Sequence, residues 1–368
     1  MKTNNTITGK QMQSIIALFW TGSIVVAGAN QDAKQDYWIS ILITAILILP
    51  MIALYCRLIK LYPGENLFDM LFDIFGTVLG RILSLIFVHY SLFIGGSVLA
   101  TFLFFIQVTD MPETPTAAIS FFFVIISILA TRSGAEAIAR LSSRLFRYIS
   151  ITVYFATLVC ISNMKLANIQ PIMSTAPKNV LLPSFNLLIL PFAEVFICLP
   201  FFTNLDRKEN VKKIFIKALV LSIVMFLTVV IRNILILGKN APFYYSPSYA
   251  AISIASIGEF FSRFEILVGM VLVLAGSAKI CICTFTSAIG LSKIVKVDYK
   301  TVVVLCVLII FTMSQNAFAN ATSALGYVKY QMIFGIPFEL FLPVVIWIVA
   351  EIKNHLKSEE LKSNNPGS

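Results

Sequence analysis

Residues 186–203 read NLLILPFAEVFICLPFFT, and the fold can be worked out from this stretch. It is apolar over about the length that crosses a bilayer, roughly 20 residues. One acid, Glu194, stands at its middle, between Pro191 and Pro200. Proline removes a backbone donor and kinks a helix. An ionisable residue inside an apolar span is costly and marks a functional position. The stretch therefore reads as a broken membrane helix. Glu194 could contact a ligand ammonium, carry a proton, pair with another helix, or bond the freed backbone.

The rest of the chain has the same character. Of its 368 residues, 58% are hydrophobic and only 12% charged. The mean hydropathy is +0.88. A soluble domain carries about a quarter charged residues. Lipid permits helices or closed barrels, and long continuous apolar blocks argue for helices. Ten spans are expected near residues 11–30, 38–58, 81–107, 116–132, 145–163, 186–203, 213–237, 263–291, 300–319 and 332–352. They make one transmembrane domain, 1–357, with halves at 11–163 and 186–352, and a disordered polar tail at 358–368.

The connections set the topology. One side carries Arg57 and Lys60; Arg132, Arg140, Arg144 and Arg147; Arg207, Lys208, Lys212, Lys213 and Lys217; Lys293, Lys296 and Lys300; and Lys353, Lys357 and Lys362. The other carries Lys34, Lys165, Lys178, Lys239 and Lys329. The positive-inside rule then puts the basic side, with both termini, in the cytoplasm. The net charge of +10 is thus a topology signal and a contact for lipid headgroups, not a nucleic-acid footprint. No Walker loop, zinc motif or nucleophile elbow is present, so neither an enzyme nor a cofactor is expected.

Two connections stand out. Residues 63–79 place Glu65, Asp69 and Asp73 four apart on one helical face, an interfacial helix with a solvated or partner-docking side. Residues 238–262 are rich in Gly, Pro, Ser and Tyr and form an outer loop, with room for short helices.

The first span is also breakable. Thr21, Gly22 and Ser23 lie near its middle. A break would free amide N–H groups for a carboxylate. Equally, Gly22 suits close helix packing. The first and sixth spans open the two halves, where an inverted five-plus-five repeat would place broken helices. Lys279, deep in span eight, could fill a cation-like site or pair with Glu194. His89 in span three could relay protons or simply pack. Gly95 and Gly96 beyond it permit a close helix approach or a pocket wall. Arg232 is expected to snorkel from span seven. Arg263 and Glu265 point to different faces and each tie a neighbour. Cys281 and Cys283 lack a His or carboxylate beside them, so no metal is expected.

Several pieces, in order, resemble one family. They are Gln11 leading to Gly22; Asp36-Tyr37-Trp38-Ile39-Ser40; Tyr62-Pro63-Gly64-Glu65; Glu194 followed by Leu199-Pro200-Phe201; Lys212-Lys213; and Arg263-Phe264-Glu265. Over nearly its whole length the chain resembles the spore germination permease family, the B subunits of germinant receptors, within the amino acid–polyamine–organocation superfamily. The resemblance implies a ten-helix fold of the leucine-transporter type, with helices one and six unwound around a small, often amino-acid, ligand. It implies that helices three and eight complete the pocket. It also implies A and C partner subunits and residence in the spore inner membrane. The first span departs from the pattern by lacking a Gly-x-Gly pair. The expected pocket is Thr21, Gly22, Ser23, Gly95, Gly96, Glu194 and Thr284, with His89 and Lys279 as buried gating charges. The ligand carboxylate is expected at the amides near Gly22 and Ser23, and its ammonium at helix six. A proton- or sodium-coupled amino acid transporter is the alternative.

Overall fold

A computed structural model describes residues 6–23, 28–109, 113–254, 264, 266–315 and 333–364. Arg263 and Glu265 lie outside the described residues. Among those described the chain is helical, with a single backbone bridge, Ile7 to Leu205.

The helices in chain order are α1 Gly9–Thr21, α2 Tyr37–Leu47, α3 Leu49–Leu61, α4 Leu67–Thr109, α5 Thr116–Arg132 and α6 Ala135–Val159. They continue with α7 Pro177–Leu187, α8 Val211–Leu237, α9 Pro247–Ser253, α10 Ile266–Val295, α11 Tyr299–Gln315 and α12 Leu342–Asn364. Between α7 and α8 the chain is wound abnormally: a wide turn at Leu188–Phe192, then a tight three-residue-per-turn coil at Ala193–Asn204. Six helical rods are long and apolar enough to cross a membrane, at Lys34–Leu61, Leu67–Thr109, Pro177–Asn204, Val211–Phe243, Ile266–Val295 and Ile333–Leu356. Shorter apolar helices lie at Thr116–Arg132 and Tyr299–Gln315. This is a multi-pass membrane protein. Its outward surface carries bare Ile46, Val78, Phe122, Leu129, Ile151 and Leu158, as a lipid-facing belt must.

The core is built on α4 and α10, which pack along each other. Small residues allow the approach. A Cβ on Gly276 would fall 1.5 Å from the Phe102 ring of α4, and one on Gly290 would fall 2.4 Å from Phe68. Gly95 meets Ile310 and Cys283, and Gly96 meets Met313, so both glycines serve helix packing against α10 and α11 rather than a pocket wall.

Three details differ from the sequence expectation. The amphipathic segment before span three is a helix of its own, from Leu67 to a kink at Gly76, whose φ of 75° a side chain would strain; the rest of α4 follows the kink. Its acidic face is only partly open to solvent: Glu65 is exposed, but half-exposed Asp69 holds Lys293 of α10, and Asp73 lies 3.6 Å from Lys353 of α12. Burial and the neighbouring Asp73 push the phenol of Tyr62, beside this kink, up to about 12. The fifth span starts earlier, at Ala135 behind Gly134, because its arginines lie along the exposed side of an already formed helix. Finally, α12 runs on to Asn364, beyond the Ser358 start expected for a tail, through the helix-forming run KSEELK.

Candidate functional site

α1 begins with a capping box. Thr8 Oγ1 accepts from Gln11 N, and Gln11 Oε1 accepts from Thr8 N at 3.0 Å. Its other end is Thr21. The Gly22 amide donates to Leu18 O at 2.9 Å and the Ser23 amide to Trp20 O at 3.3 Å. Both amides on which the sequence seated a carboxylate are therefore taken by the helix's own closing turn. The rod Pro177–Asn204, which is span six of the sequence, breaks at Leu190, with φ −117° and ψ 108°, just before Pro191. The end of α1 faces this break. Trp20 Nε1 donates to Phe192 O at 2.9 Å, and the two rings lie 5.3 Å apart.

Past this break the tight coil turns Glu194 into the core. Lys279 comes from α10, and Ser23 from the end of α1. Lys279 Nζ lies 2.6 Å from Glu194 Oε2 and 3.0 Å from Ser23 Oγ. The ammonium also sits 4.5 Å above the Phe19 ring, a cation–π contact. Glu194 and Lys279 are at most 1% exposed. Lys279 thus joins α10 to the end of α1 and to the coil just past the Leu190 break. Thr286 Oγ1 adds a bond from α10 to Ile197 O of the coil at 2.6 Å.

A second acid stands beside this pair. Glu339, from the wide turn Ile336–Phe341 that leads into α12, is 1% exposed. It accepts from the Tyr90 hydroxyl of α4 and lies within reach of the charges on Glu194 and Lys279. Its Oε2 has no hydrogen-bond partner among the described residues. Tyr90 is held by Phe196 at 5.7 Å and Phe338 at 5.2 Å. Sequence reading passed over Glu339. The available signal was the one that found Glu194: an acid beside a proline, here Pro337, in an apolar span.

The sequence profile of a family described as Spore germination protein matches residues 6–322. This chain belongs to that family. Spore germination protein KB of Bacillus subtilis (strain 168) is 25% identical to it, over 97% of this chain and 98% of its own length. Spore germination protein YndE of the same organism is 23% identical over 73% of this chain and 74% of its own. Among solved structures, Mhp1, a nucleobase-cation-symport-1 family transporter in a closed conformation with bromovinylhydantoin bound, matches with a TM-score of 0.61. The identity is 14%, over 90% of this chain and 78% of that one. MhsT in complex with L-phenylalanine matches at 0.54 and 13% identity, over 91% and 84%. Their leucine-transporter-like fold is the fold of this chain.

Within that fold the expected site residues separate. Ser23, Glu194 and Lys279 meet. Thr21 is buried next to them, its hydroxyl donating to Leu18 O. Thr284 is buried and donates back to Ile280 O on its own helix at 2.8 Å. Gly95 and Gly96 lie on the α10–α11 side. His89 is not a buried charge: it is exposed, on the outward stripe of α4 that also bears Ile82 and Leu85. The helical phase forces this, because Val88 and Tyr90 beside it face the core. Arg232 does not snorkel; it is 3% exposed. Cys281 and Cys283 are buried free thiols.

Proposed function

We propose that this chain is the germinant-sensing membrane subunit of a spore germination receptor, with a small zwitterionic ligand such as an amino acid. The Glu194–Lys279 pair, set between the end of α1 and the break before Pro191, carries this reading. A buried ion pair costs desolvation on both partners, and removing one partner strands the other. A zwitterion is the ligand class that can enter without stranding either: its carboxylate goes to Lys279 and its ammonium to Glu194. The ligand then replaces the direct bridge and releases Ser23. A ligand shifts only states that it binds unequally, and this exchange differs between a joined and a parted bridge. The parted rods would pass the change to A and C partner subunits in the spore inner membrane, with the basic face and both termini cytoplasmic. The test is germination of spores with and without this gene against single amino acids. Loss of response to one of them, and its loss again in Glu194→Gln and Gly22→Leu, supports the reading. An unchanged response in both variants removes this pocket.

Glu339 favours a second reading. Two carboxylates face one ammonium, and one Glu339 oxygen is unpartnered among the described residues. A proton on Glu339 balances the cluster, as a proton-coupled amino acid transporter requires. Uptake into proteoliposomes driven by a pH gradient, lost in Glu339→Gln, would establish it.

A further inference from the structure

The central bridge leaves one charge over. Two buried carboxylates, Glu194 and Glu339, share the buried ammonium of Lys279. The bridge occupies Glu194 Oε2, and the Tyr90 hydroxyl donates to Oε1 of Glu339. Glu339 Oε2 keeps no partner among the described residues, although the side chain is 1% exposed. A buried carboxylate oxygen without a donor is costly, and in a folded protein it marks a place that something else completes. Tyr55 of α3 is a second such group. It is 1% exposed, its hydroxyl is unpartnered among the described residues, and it lies within reach of the Glu339 charge.

The ground between the two acids is aromatic. Phe196 stands two residues past Glu194 on the tight coil, and Phe338 stands next to Glu339 on the wide turn. Both rings pack on Tyr90, at 5.7 and 5.2 Å. Phe87 of α4 backs Phe196 at 5.1 Å. Flat apolar faces suit a methylene stem and attract a cation at its end.

We infer that the ligand is a dibasic amino acid, with one carboxylate and two ammonium groups, such as lysine or ornithine. This rests on the zwitterion reading above and names the side chain that it admits. The α-carboxylate goes to Lys279 and the α-ammonium to Glu194, as there. The stem runs along Phe196 and Phe338. The side-chain ammonium meets Glu339 Oε2, while Tyr90 holds the other oxygen. The charges then balance without a proton: two carboxylates and one ammonium from the protein, one carboxylate and two ammoniums from the ligand. A neutral side chain leaves Glu339 incomplete, and an acidic one adds a like charge. Charge-assisted hydrogen bonds are roughly twice as strong as neutral ones, so the side-chain amine is the selective group.

The test is thermal stabilisation of the full chain in nanodiscs, titrated with L-lysine, L-ornithine, L-norleucine, L-alanine, L-glutamate and cadaverine. Norleucine has the lysine stem without the amine, and cadaverine has both amines without the carboxylate. Lysine or ornithine should bind about tenfold or more tighter than norleucine. Cadaverine should be weaker than lysine, because Lys279 then finds no carboxylate, and glutamate should give no stabilisation. Glu339→Gln should remove the advantage of lysine over norleucine. The lysine–norleucine comparison on the unaltered chain decides the matter if that variant does not fold. Norleucine binding as tightly as lysine and ornithine, or an advantage that survives Glu339→Gln, would overturn the inference and leave the zwitterion reading standing. Stabilisation by none of the amino acids would remove that reading and this inference together.

Discussion

Glu194–Lys279 and Arg57–Glu351 are the same chemistry in different surroundings. The first pair is at most 1% exposed and joins α10 to the coil past the Leu190 break. The second leaves 50% and 30% of its side chains open and clips α3 to α12 near the basic face. Lys293–Asp69, 32% and 41% exposed, is intermediate. An exposed pair contributes about 0–1 kcal/mol, because water and salt screen it. Breaking a buried pair costs about 3–5 kcal/mol, chiefly because the survivor is a stranded charge. The comparison teaches that the rim bridges position helices at little cost either way, whereas the central bridge is a commitment that something must replace before it opens.

The largest test removes one central charge. Lys279→Met or Glu194→Gln alone should destabilise the protein by about 3–5 kcal/mol, read by thermal melting in detergent. The double variant should recover most of that loss while the ligand response stays absent. Singles no worse than a rim substitution would break the comparison. Next comes Gly276→Ala, one turn before Lys279, which drives a Cβ into Phe102 and should cost about 1–3 kcal/mol. Adding Phe102→Leu should return much of it in the same melt. Lys293→Ala should cost about 0–1 kcal/mol, with the difference shrinking in high salt. Arg57→Ala should give the smallest change, about 0.5 kcal/mol or less, and a double-mutant cycle with Glu351→Ala would sharpen that figure.

The six rods and the two shorter apolar helices were legible because apolar length is a one-dimensional signal. Pro191 announced the break in span six, since a missing donor is a property of the residue itself. Glu194 and Lys279 were legible as ionisable groups in lipid, and their opposite signs suggested a bridge. What stayed hidden depends on helix rotation and on neighbours far apart in sequence. Gly95 and Gly96 face α10 and α11, and His89 faces outward, because of a phase that weakly periodic apolar helices do not encode. Arg232 looked near enough to a helix end to reach water, but α9 and its Ser248 cover it from a loop whose fold the sequence left open. The Gly22 and Ser23 amides were offered to a ligand because the closing turn on Leu18 and Trp20 could not be foreseen.

The chain's amino end has a practical consequence. Ile7 N donates to Asn204 O at 2.7 Å, Asp206 N donates to Ile7 O at 3.1 Å, and Gly9 N donates to Glu209 Oε1 at 2.8 Å. This stitches the start of α1 to the end of the coil that carries Glu194. Two of the three threads are backbone to backbone, so side-chain substitution cannot easily cut them, but a bulky fusion can pull on them. An affinity tag or fluorescent reporter belongs on the far end, after α12. Placed ahead of Ile7, it would load the seam between α1 and the coil and report on its own traction instead of on the ligand.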